Sequence, residues 1–172
     1  ALEGAGMSPL CAAVLAARGI AGPEEAARFL SCGPQRFHDP FLLKDMDKAV
    51  RRIHAAMAGG ELMCVYGDYD VDGITATCLL TEALAWLGGR ALSYIPDRSE
   101  EGYGLNPGAI ARLAGEGVTL IVTVDCGITA VAEVEFARSL GVDVVVTDHH
   151  HCKDKLPAAA AVVNPRQDGC PY

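Results

Sequence analysis

The stretch "CVYGDYDVDGITATCLL", residues 64–80, passes from one apolar run through a group of acids into a second apolar run. The acids are Asp68, Asp70 and Asp72. The run before them has the length of a buried strand, and the run after them is long enough for a helix that ends at Gly88. No basic residue lies among the three aspartates, so a positive charge from elsewhere has to offset their repulsion.

The chain beyond this stretch continues to alternate strand and helix patterns. Further strands are predicted at 91–95, 118–125, 142–148 and 159–165, and the helices between them at 107–117 and 130–141. This alternation produces right-handed crossovers and a parallel sheet, and continuous Val/Ile runs are typical of strands that are buried on both faces. The fold class is therefore predicted to be α/β, with a Rossmann-like parallel β-sheet flanked by helices.

The N-terminal part of the chain has helix signals only. Ser8 and Pro9 can begin a first helix, Pro23 can begin a second that ends at Gly33, and a third is predicted over 43–60. We therefore expect a short helical N-terminal segment at residues 1–59 and the α/β domain at residues 60–172.

Composition and charge exclude several classes of protein. Of the 172 residues, 51% are hydrophobic, which suffices for the packed core of a soluble globular protein, but no apolar run reaches the roughly 18 residues of a membrane span. The seven cysteines are odd in number and form no CxxC pair, so a reducing, cytoplasmic setting is predicted. The net charge of −8 differs from the basic footprint of most nucleic-acid-binding proteins.

Acidic residues and histidines stand at the ends of three predicted strands. The first strand runs into the aspartate group, the third ends at Asp125, and the fourth ends at Asp148, which His149 and His150 follow. Because ligands of open parallel sheets bind beyond the carboxyl ends of the strands, we expect these side chains to meet at one edge. Carboxylates with imidazoles suit Mn²⁺ or Mg²⁺, and two ions about 3.5–4 Å apart that share a carboxylate would activate water.

Each of these residue types also has other common roles in proteins. A single aspartate after a strand is often a helix cap or a turn residue. "DYDVDG" matches the start of a calcium loop, but Ala76 and Leu79 occupy the positions that need later ligands. The adjacent histidines of "DHHHC" lack the usual spacing of zinc ligands. A nucleophilic role for Cys126 has little support, since a small residue in a tight turn explains it as well.

Three motifs carry a family resemblance. "YGDYDVDGITAT", "VTVDCGITA" and "VVVTDHHHC" resemble the first three motifs of the DHH phosphoesterase superfamily. Within it, "DPFLLKDMDKAVRRI", "YIPDRSEEGYGLN" and "AVVNPRQDGCPY" are similar to the bacterial RecJ family of single-stranded-DNA-specific 5′→3′ exonucleases. The resemblance implies two-metal hydrolysis of phosphodiester bonds in DNA recombination and repair, with Mn²⁺ or Mg²⁺ as the two ions.

The resemblance also assigns roles to residues. It implies metal binding by Asp68, Asp70, Asp72, Asp125 and His149, with Asp125 bridging the ions. It implies that Asp148, His149 and His150 form the catalytic third motif. One histidine of this motif would bind metal and the other would face the phosphate, and the resemblance leaves open which histidine does which. Relatives outside the RecJ branch often have a metal-binding His at the position of Tyr66. His151 lies outside the motif and is predicted to be a solvated neighbour.

The loop "PDRSEEGYGLN", residues 96–106, is the candidate substrate-binding segment. Arg98 can bind a phosphate, Tyr103 can stack on a base, and the glycines allow the backbone to approach a ligand. The substrate-binding candidates are Arg98, Gly102, Tyr103, Gly104 and His150. An ordinary exposed loop, with a packing role for Tyr103, is the alternative.

The family's fourth motif, its DHH-associated domain and its OB-fold are not found in these residues. We therefore expect an N-terminal fragment of a longer enzyme, inactive alone, that meets single-stranded DNA mainly through the other domains. A repair helicase or a single-strand-binding protein is an expected partner, and a monomer is the expected state. The alternatives are a phosphodiesterase for oligonucleotides or cyclic dinucleotides, a pyrophosphatase, or a non-catalytic module that binds metal or nucleotide.

Overall fold

The computed structural model describes residues 2–31 and 37–172, which belong to two compact units, Ala1–His38 and Asp39–Tyr172. The division falls after His38, whereas the sequence suggested a boundary between residues 59 and 60. The difference arises because helix α3, Met46–Ala58, buries Ala49 and Ala56 in the same core as the sheet. Its amphipathic pattern therefore serves the α/β unit.

The first unit contains a 3-10 turn at Glu3–Ala5, helix α1 at Pro9–Ala17 and helix α2 at Pro23–Leu30. The Ser8 hydroxyl accepts a hydrogen bond from the Cys11 amide at 3.3 Å, as its position before Pro9 predicts. A small core of Leu2, Ala12, Leu15, Ile20 and Ala26 holds the unit together. The predicted helix end at Gly33 lies outside the described residues.

The second unit is a parallel sheet with helices on both faces. After a 3-10 turn at Pro40–Leu42, its elements are α3, β1 Leu62–Tyr66, α4 Val71–Trp86, β2 Arg90–Tyr94, α5 Pro107–Gly115, β3 Val118–Val124, α6 Val131–Ser139, β4 Asp143–Thr147 and β5 Ala161–Val163. The five strands are all parallel, in the order β2-β1-β3-β4-β5. The predicted α/β class is confirmed. Over the described ranges, no helix has both the length and the apolar character to cross a bilayer.

Alternate residues of the central strands face two separate apolar layers. In β1, Cys64 and Tyr66 pack in the layer that contains α5 and α6. Met63 and Val65 pack in the layer that contains α3 and α4. All four are fully buried, as expected for a strand that helices cover on both faces.

Helix α4 begins at Val71, three residues before the predicted start, because Asp70 caps it. Its Oδ1 accepts the amide of Asp72 at 2.9 Å and that of Gly73 at 3.1 Å. The acidic stretch is therefore a loop only as far as Asp70, and Asp72 lies in the first helical turn.

Gly73 brings this first turn against the backbone of Asp68. A Cβ atom at Gly73 would lie 2.5 Å from both the N and the O of Asp68, which is too close for any side chain. The sequence therefore needs glycine here to place Asp68 beside the start of α4.

We predict that Gly73→Ala destabilises the chain by about 1–3 kcal/mol, because backbone atoms of α4 and of the Asp68 loop must move apart. Denaturant unfolding followed by circular dichroism measures the change. Gly115→Ala, in α5, is the matched control, since nothing lies within 4 Å of its Cβ position, and it should be neutral or slightly stabilising. Equal stabilities of the two variants would contradict this packing argument.

Candidate metal centre

The strand register brings the predicted site residues to one edge of the sheet. Tyr66 of β1 pairs with Thr123 of β3, and Val124 of β3 pairs with Thr147 of β4. The aspartates therefore follow three adjacent strand ends. The strand order reverses between β1 and β3, which is where open α/β sheets bind ligands.

Two groups of potential metal ligands meet at this edge. Asp68, Asp70 and Asp125 form one group, and Asp125, His149 and His150 form the other. Within each group the ligand atoms lie within 4.8 Å of one another. Asp125 belongs to both, which is the arrangement that a carboxylate shared between two cations requires.

Asp68 supplies direct structural support for a cation. Its side chain is buried, with 3% of the residue exposed, and its Oδ1 has no hydrogen-bond partner among the described residues. A buried carboxylate oxygen without a partner is costly unless a cation or a proton compensates it. The donor set of carboxylates and imidazoles around it fits Mn²⁺ or Mg²⁺.

Asp70 contributes an ionised carboxylate to the same group. The amides of Gly73 and Asp72 donate to it, and this hydrogen bonding holds the pKa of Asp70 below its ordinary value. The cap that begins α4 therefore also keeps one candidate ligand in the charged form that binds metal.

Asp125 lies in a left-handed backbone conformation, with φ of 60°, that few non-glycine residues adopt. Two threonines stabilise the turn: the Thr123 hydroxyl donates to the Cys126 carbonyl at 2.8 Å, and the Thr147 hydroxyl donates to the Thr123 carbonyl at 2.6 Å. The Asp125 side chain is only 7% exposed, and this burial raises its pKa. His149 Nε2 lies 2.7 Å from Asp125 Oδ1 and opposes that rise.

Asp148 orients the two histidines. Its Oδ1 accepts hydrogen bonds from the amides of His149 and His150, at 2.7 and 3.0 Å, and lies 2.7 Å from His150 Nδ1. Its Oδ2 accepts the Ile128 amide at 2.9 Å, and the side chain is 1% exposed. With both oxygens engaged, Asp148 fits a supporting role, and its hydrogen bond raises the pKa of His150.

Asp72 is outside both ligand groups of the described residues. It lines a cleft together with Asp125 and His149, and the apolar side chains of Leu43 and Met46 form part of the cleft wall. The structure thus places Asp72 in the first turn of α4, on the cleft beside the centre, whereas Asp70 caps that helix and belongs to a ligand group.

The candidate substrate loop reaches the centre through Tyr103. The Tyr103 hydroxyl lies 3.4 Å from the Asp125 carbonyl and 3.4 Å from His150 Nδ1. The Arg98 guanidinium lies over the ring of Tyr69, 5.1 Å from its centroid. Tyr69 stands between Asp68 and Asp70 in the sequence. Gly102 and Gly104 have φ of 77° and 78°, so the turns around Tyr103 require glycine.

Tyr66 and Asn106 hold this loop, a role that the sequence did not reveal. The buried Tyr66 hydroxyl donates to the Gly104 carbonyl at 3.0 Å and accepts from Asn106 Nδ2 at 3.1 Å. In the sequence, Asn106 is recognisable only as the cap of α5, where its Oδ1 accepts a hydrogen bond from the Ala109 amide at 2.7 Å. Its second contact depends on the tertiary fold.

Two residues after β5 contact the histidine segment, and the sequence motifs did not identify them as part of the site. Asn164 Nδ2 donates to the His150 carbonyl at 3.0 Å, and Arg166 Nε donates to the His149 carbonyl at 2.7 Å. Asn164 follows a strand end, as the aspartates do, and that position is the signal that could have identified it. His151 lies outside the ligand groups of the described part, with its Nε2 3.1 Å from Arg166 Nη1.

Cys126 does not have the properties of a nucleophile. It is fully buried, and this burial raises the pKa of its thiol well above the usual range. Its sulfur lies 3.7 Å from the Tyr66 carbonyl oxygen, to which it can donate. Since the thiolate is the reactive form, this residue is a packing residue of the turn after β3.

Comparison with known proteins identifies relatives over most of the chain. Residues 62–171 match the family model "DHH family, N-terminal domain". The single-stranded-DNA-specific exonuclease RecJ of Bacillus subtilis is 43% identical over 96% of this chain and 21% of its own length. The same exonuclease of Escherichia coli is 40% identical over 96% of this chain and 28% of its own length. The chain thus spans less than a third of these relatives.

Solved structures show the same fold. RecJ from Thermus thermophilus in complex with Mn²⁺ superposes with a TM-score of 0.74 and 30% identity, over 99% of this chain and 24% of that one. A second exonuclease RecJ, bound to manganese, superposes with a TM-score of 0.71 and 38% identity, over 77% of this chain and 34% of that one. Manganese accompanies this fold in both structures.

We predict that the pKa of His150 in the metal-free chain lies above its ordinary value of 6.5, because the hydrogen bond to Asp148 stabilises the protonated ring. Asp148→Asn should lower the pKa of His150, as measured by NMR titration of the imidazole. The stability that the His150–Asp148 pair contributes is full below about pH 6.5 and is lost as the pH rises through the raised pKa. Unchanged titration in the variant would contradict the pairing.

Proposed function

Because the chain belongs to the DHH family, we propose that it forms the metal-binding part of a RecJ-like exonuclease. The proposed reaction is hydrolysis of phosphodiester bonds in single-stranded DNA, in the 5′→3′ direction, with two divalent ions, Mn²⁺ or Mg²⁺. The substrate class is taken from the relatives, which are named single-stranded-DNA-specific exonucleases. The 5′→3′ polarity rests on the family resemblance of the sequence motifs alone. The metal chemistry comes from the site itself.

The observation that carries the proposal is the position of Asp125 in both ligand groups. Asp68 and Asp70 would hold an ion on one side of Asp125, and His149 would hold an ion on the other. The unpartnered Oδ1 of Asp68 fits the first ion. The 2.7 Å distance from His149 Nε2 to Asp125 Oδ1 fits the second, because it places an imidazole nitrogen and a carboxylate oxygen side by side as ligands.

The bound ions would neutralise phosphate oxygens and activate water for attack on phosphorus. The chain's own groups orient the substrate around them. Asp148 holds His150 by its Nδ1, which leaves Nε2 to donate to an oxygen of the scissile phosphate. The raised pKa of His150 favours the protonated ring that this contact needs. Asp72, on the cleft wall, would bind an ion through its hydration shell.

The loop around Tyr103 is the proposed contact for the rest of the nucleotide. Arg98, stacked on Tyr69, presents a planar guanidinium that suits bidentate contact with a phosphate. Tyr103 is 51% exposed and can stack on a base. The left-handed turns at Gly102 and Gly104 let the backbone between them approach the strand.

The acidic charge agrees with this arrangement. Divalent ions, instead of Lys and Arg, would meet the scissile phosphate, and the carboxylates that hold them account for part of the net charge of −8. Contact with the remainder of the strand is proposed to lie outside these residues. A helicase or single-strand-binding partner, a monomeric state and a cytoplasmic location stay predictions.

We predict that Asp125→Asn weakens Mn²⁺ binding by more than the 10- to 100-fold that loss of an outer-shell partner costs, because both ions lose a ligand. Isothermal titration calorimetry on the chain measures the affinity. Glu82→Gln makes the same charge change on an exposed residue of α4 and should bind as the wild type does. Wild-type affinity in Asp125→Asn would exclude a shared carboxylate.

For the reaction, we expect Mn²⁺-dependent release of nucleotides from single-stranded DNA by the protein that contains this chain, and loss of that activity in Asp125→Asn. The assay compares single-stranded DNA, duplex DNA, a cyclic dinucleotide and pyrophosphate. Preferred cleavage of the cyclic dinucleotide or of pyrophosphate would transfer the assignment to another substrate class with the same metal chemistry. Metal binding without cleavage of any substrate would indicate a non-catalytic module.

A further inference from the structure

We propose that the turn at residues 164–167, after β5, positions His149 and His150 through their backbone carbonyls and thereby sets the affinity for metal. Asn164 and Arg166 are the positioning residues in this proposal, which rests on the proposed function. Neither residue belongs to the ligand groups among the described residues. Both contact the segment that carries the histidine ligands.

Asn164 is fully buried and uses both ends of its amide. Its Nδ2 donates to the His150 carbonyl at 3.0 Å, and its Oδ1 accepts the Arg166 amide at 2.8 Å. A buried amide with both groups paired costs little, whereas loss of one partner leaves a buried polar group unpaired. The side chain is therefore fixed, and it fixes the carbonyl of His150.

Arg166 makes the corresponding contact one residue earlier. Its Nε donates to the His149 carbonyl at 2.7 Å. Its Nη1 lies 3.1 Å from His151 Nε2. The guanidinium therefore spans the segment on both sides of His150, and its planar geometry restrains the orientation of that segment.

The turn is anchored independently of the histidines. The buried Gln167 donates through Nε2 to the Val162 carbonyl at 2.6 Å, which ties the turn to β5. Lys44 Nζ donates to the Asp168 carbonyl at 2.9 Å, which ties the next residue to the segment before α3. A turn held at both ends can restrain a neighbouring segment, because it does not move with that segment.

The histidine backbone is thus held on both of its polar sides. Asp148 accepts the amides of His149 and His150, and the turn after β5 donates to their carbonyls. Removing the carbonyl contacts frees the backbone dihedral that directs each imidazole. Outer partners that orient metal ligands typically contribute 10- to 100-fold in affinity, and we expect an effect of about 10-fold for each residue.

The test compares Asn164→Asp and Arg166→Met with two controls. Asn164→Asp keeps the acceptor for the Arg166 amide but places an oxygen against the His150 carbonyl. Arg166→Met keeps the aliphatic length and removes the donors, and it tests the proposal even if Asn164→Asp does not fold. Thr119→Val removes a hydrogen bond to Glu61 at the opposite end of β3, and Arg138→Met removes an exposed ion pair on α6.

The measurements are Mn²⁺ affinity by calorimetry, amide hydrogen exchange at His149 and His150 in the metal-free chain, and thermal stability. We expect about 10-fold weaker Mn²⁺ binding and faster exchange at both amides in the two turn variants. The controls should keep wild-type affinity even where their stability falls.

Wild-type affinity and exchange in both turn variants would overturn the proposal. Equal loss of affinity in Thr119→Val would also overturn it, because the effect would then follow stability alone. If the wild-type chain binds no Mn²⁺, the proposed function fails separately, and the amide exchange still decides whether the turn positions the histidines.

Discussion

The approach of Asp68, Asp70 and Asp125 at one edge of a parallel sheet is the constraint on which the rest of the structure depends. Strand register brings the carboxylates to neighbouring strand ends, and their ligand oxygens lie within 4.8 Å of one another. Asp68 and the side chain of Asp125 are buried, so water screens the repulsion between these two carboxylates only weakly. A bound cation would offset this repulsion, and the fold places the three carboxylates where their oxygens can bind it.

Local backbone devices hold each acid against this repulsion. Gly73 lets the first turn of α4 lie against Asp68, and Asp70 accepts two amides of that turn. Asp125 is held in a left-handed conformation after β3. Asp148 gives its hydrogen-bonding capacity to the histidine segment and a neighbouring loop. The acids at the strand ends therefore differ in role: some remain open to an ion, and one organises the ligands.

The convergence of acids and histidines could be predicted because it follows from strand ends, which hydrophobic runs reveal. The packing of α3 against the sheet could not be predicted, because an amphipathic pattern shows which face of a helix is buried but not which element it packs against. Likewise, the motif pairs Asp72 with Asp70, but the motif alone does not show that Asp72 lies in the first turn of α4 and lines the cleft. The hydrogen bonds of Tyr66 and Asn164 join separate segments of the chain, and local sequence patterns do not predict such contacts.

The central claim is that Asp125 is shared by two ions. A crystal of the chain grown with Mn²⁺ and measured at a wavelength where manganese scatters anomalously tests it most directly. The account predicts two anomalous peaks about 3.5–4 Å apart, with the Asp125 carboxylate between them, Asp68 and Asp70 beside one and His149 beside the other. A single peak, or peaks that do not contact Asp125, would contradict the account.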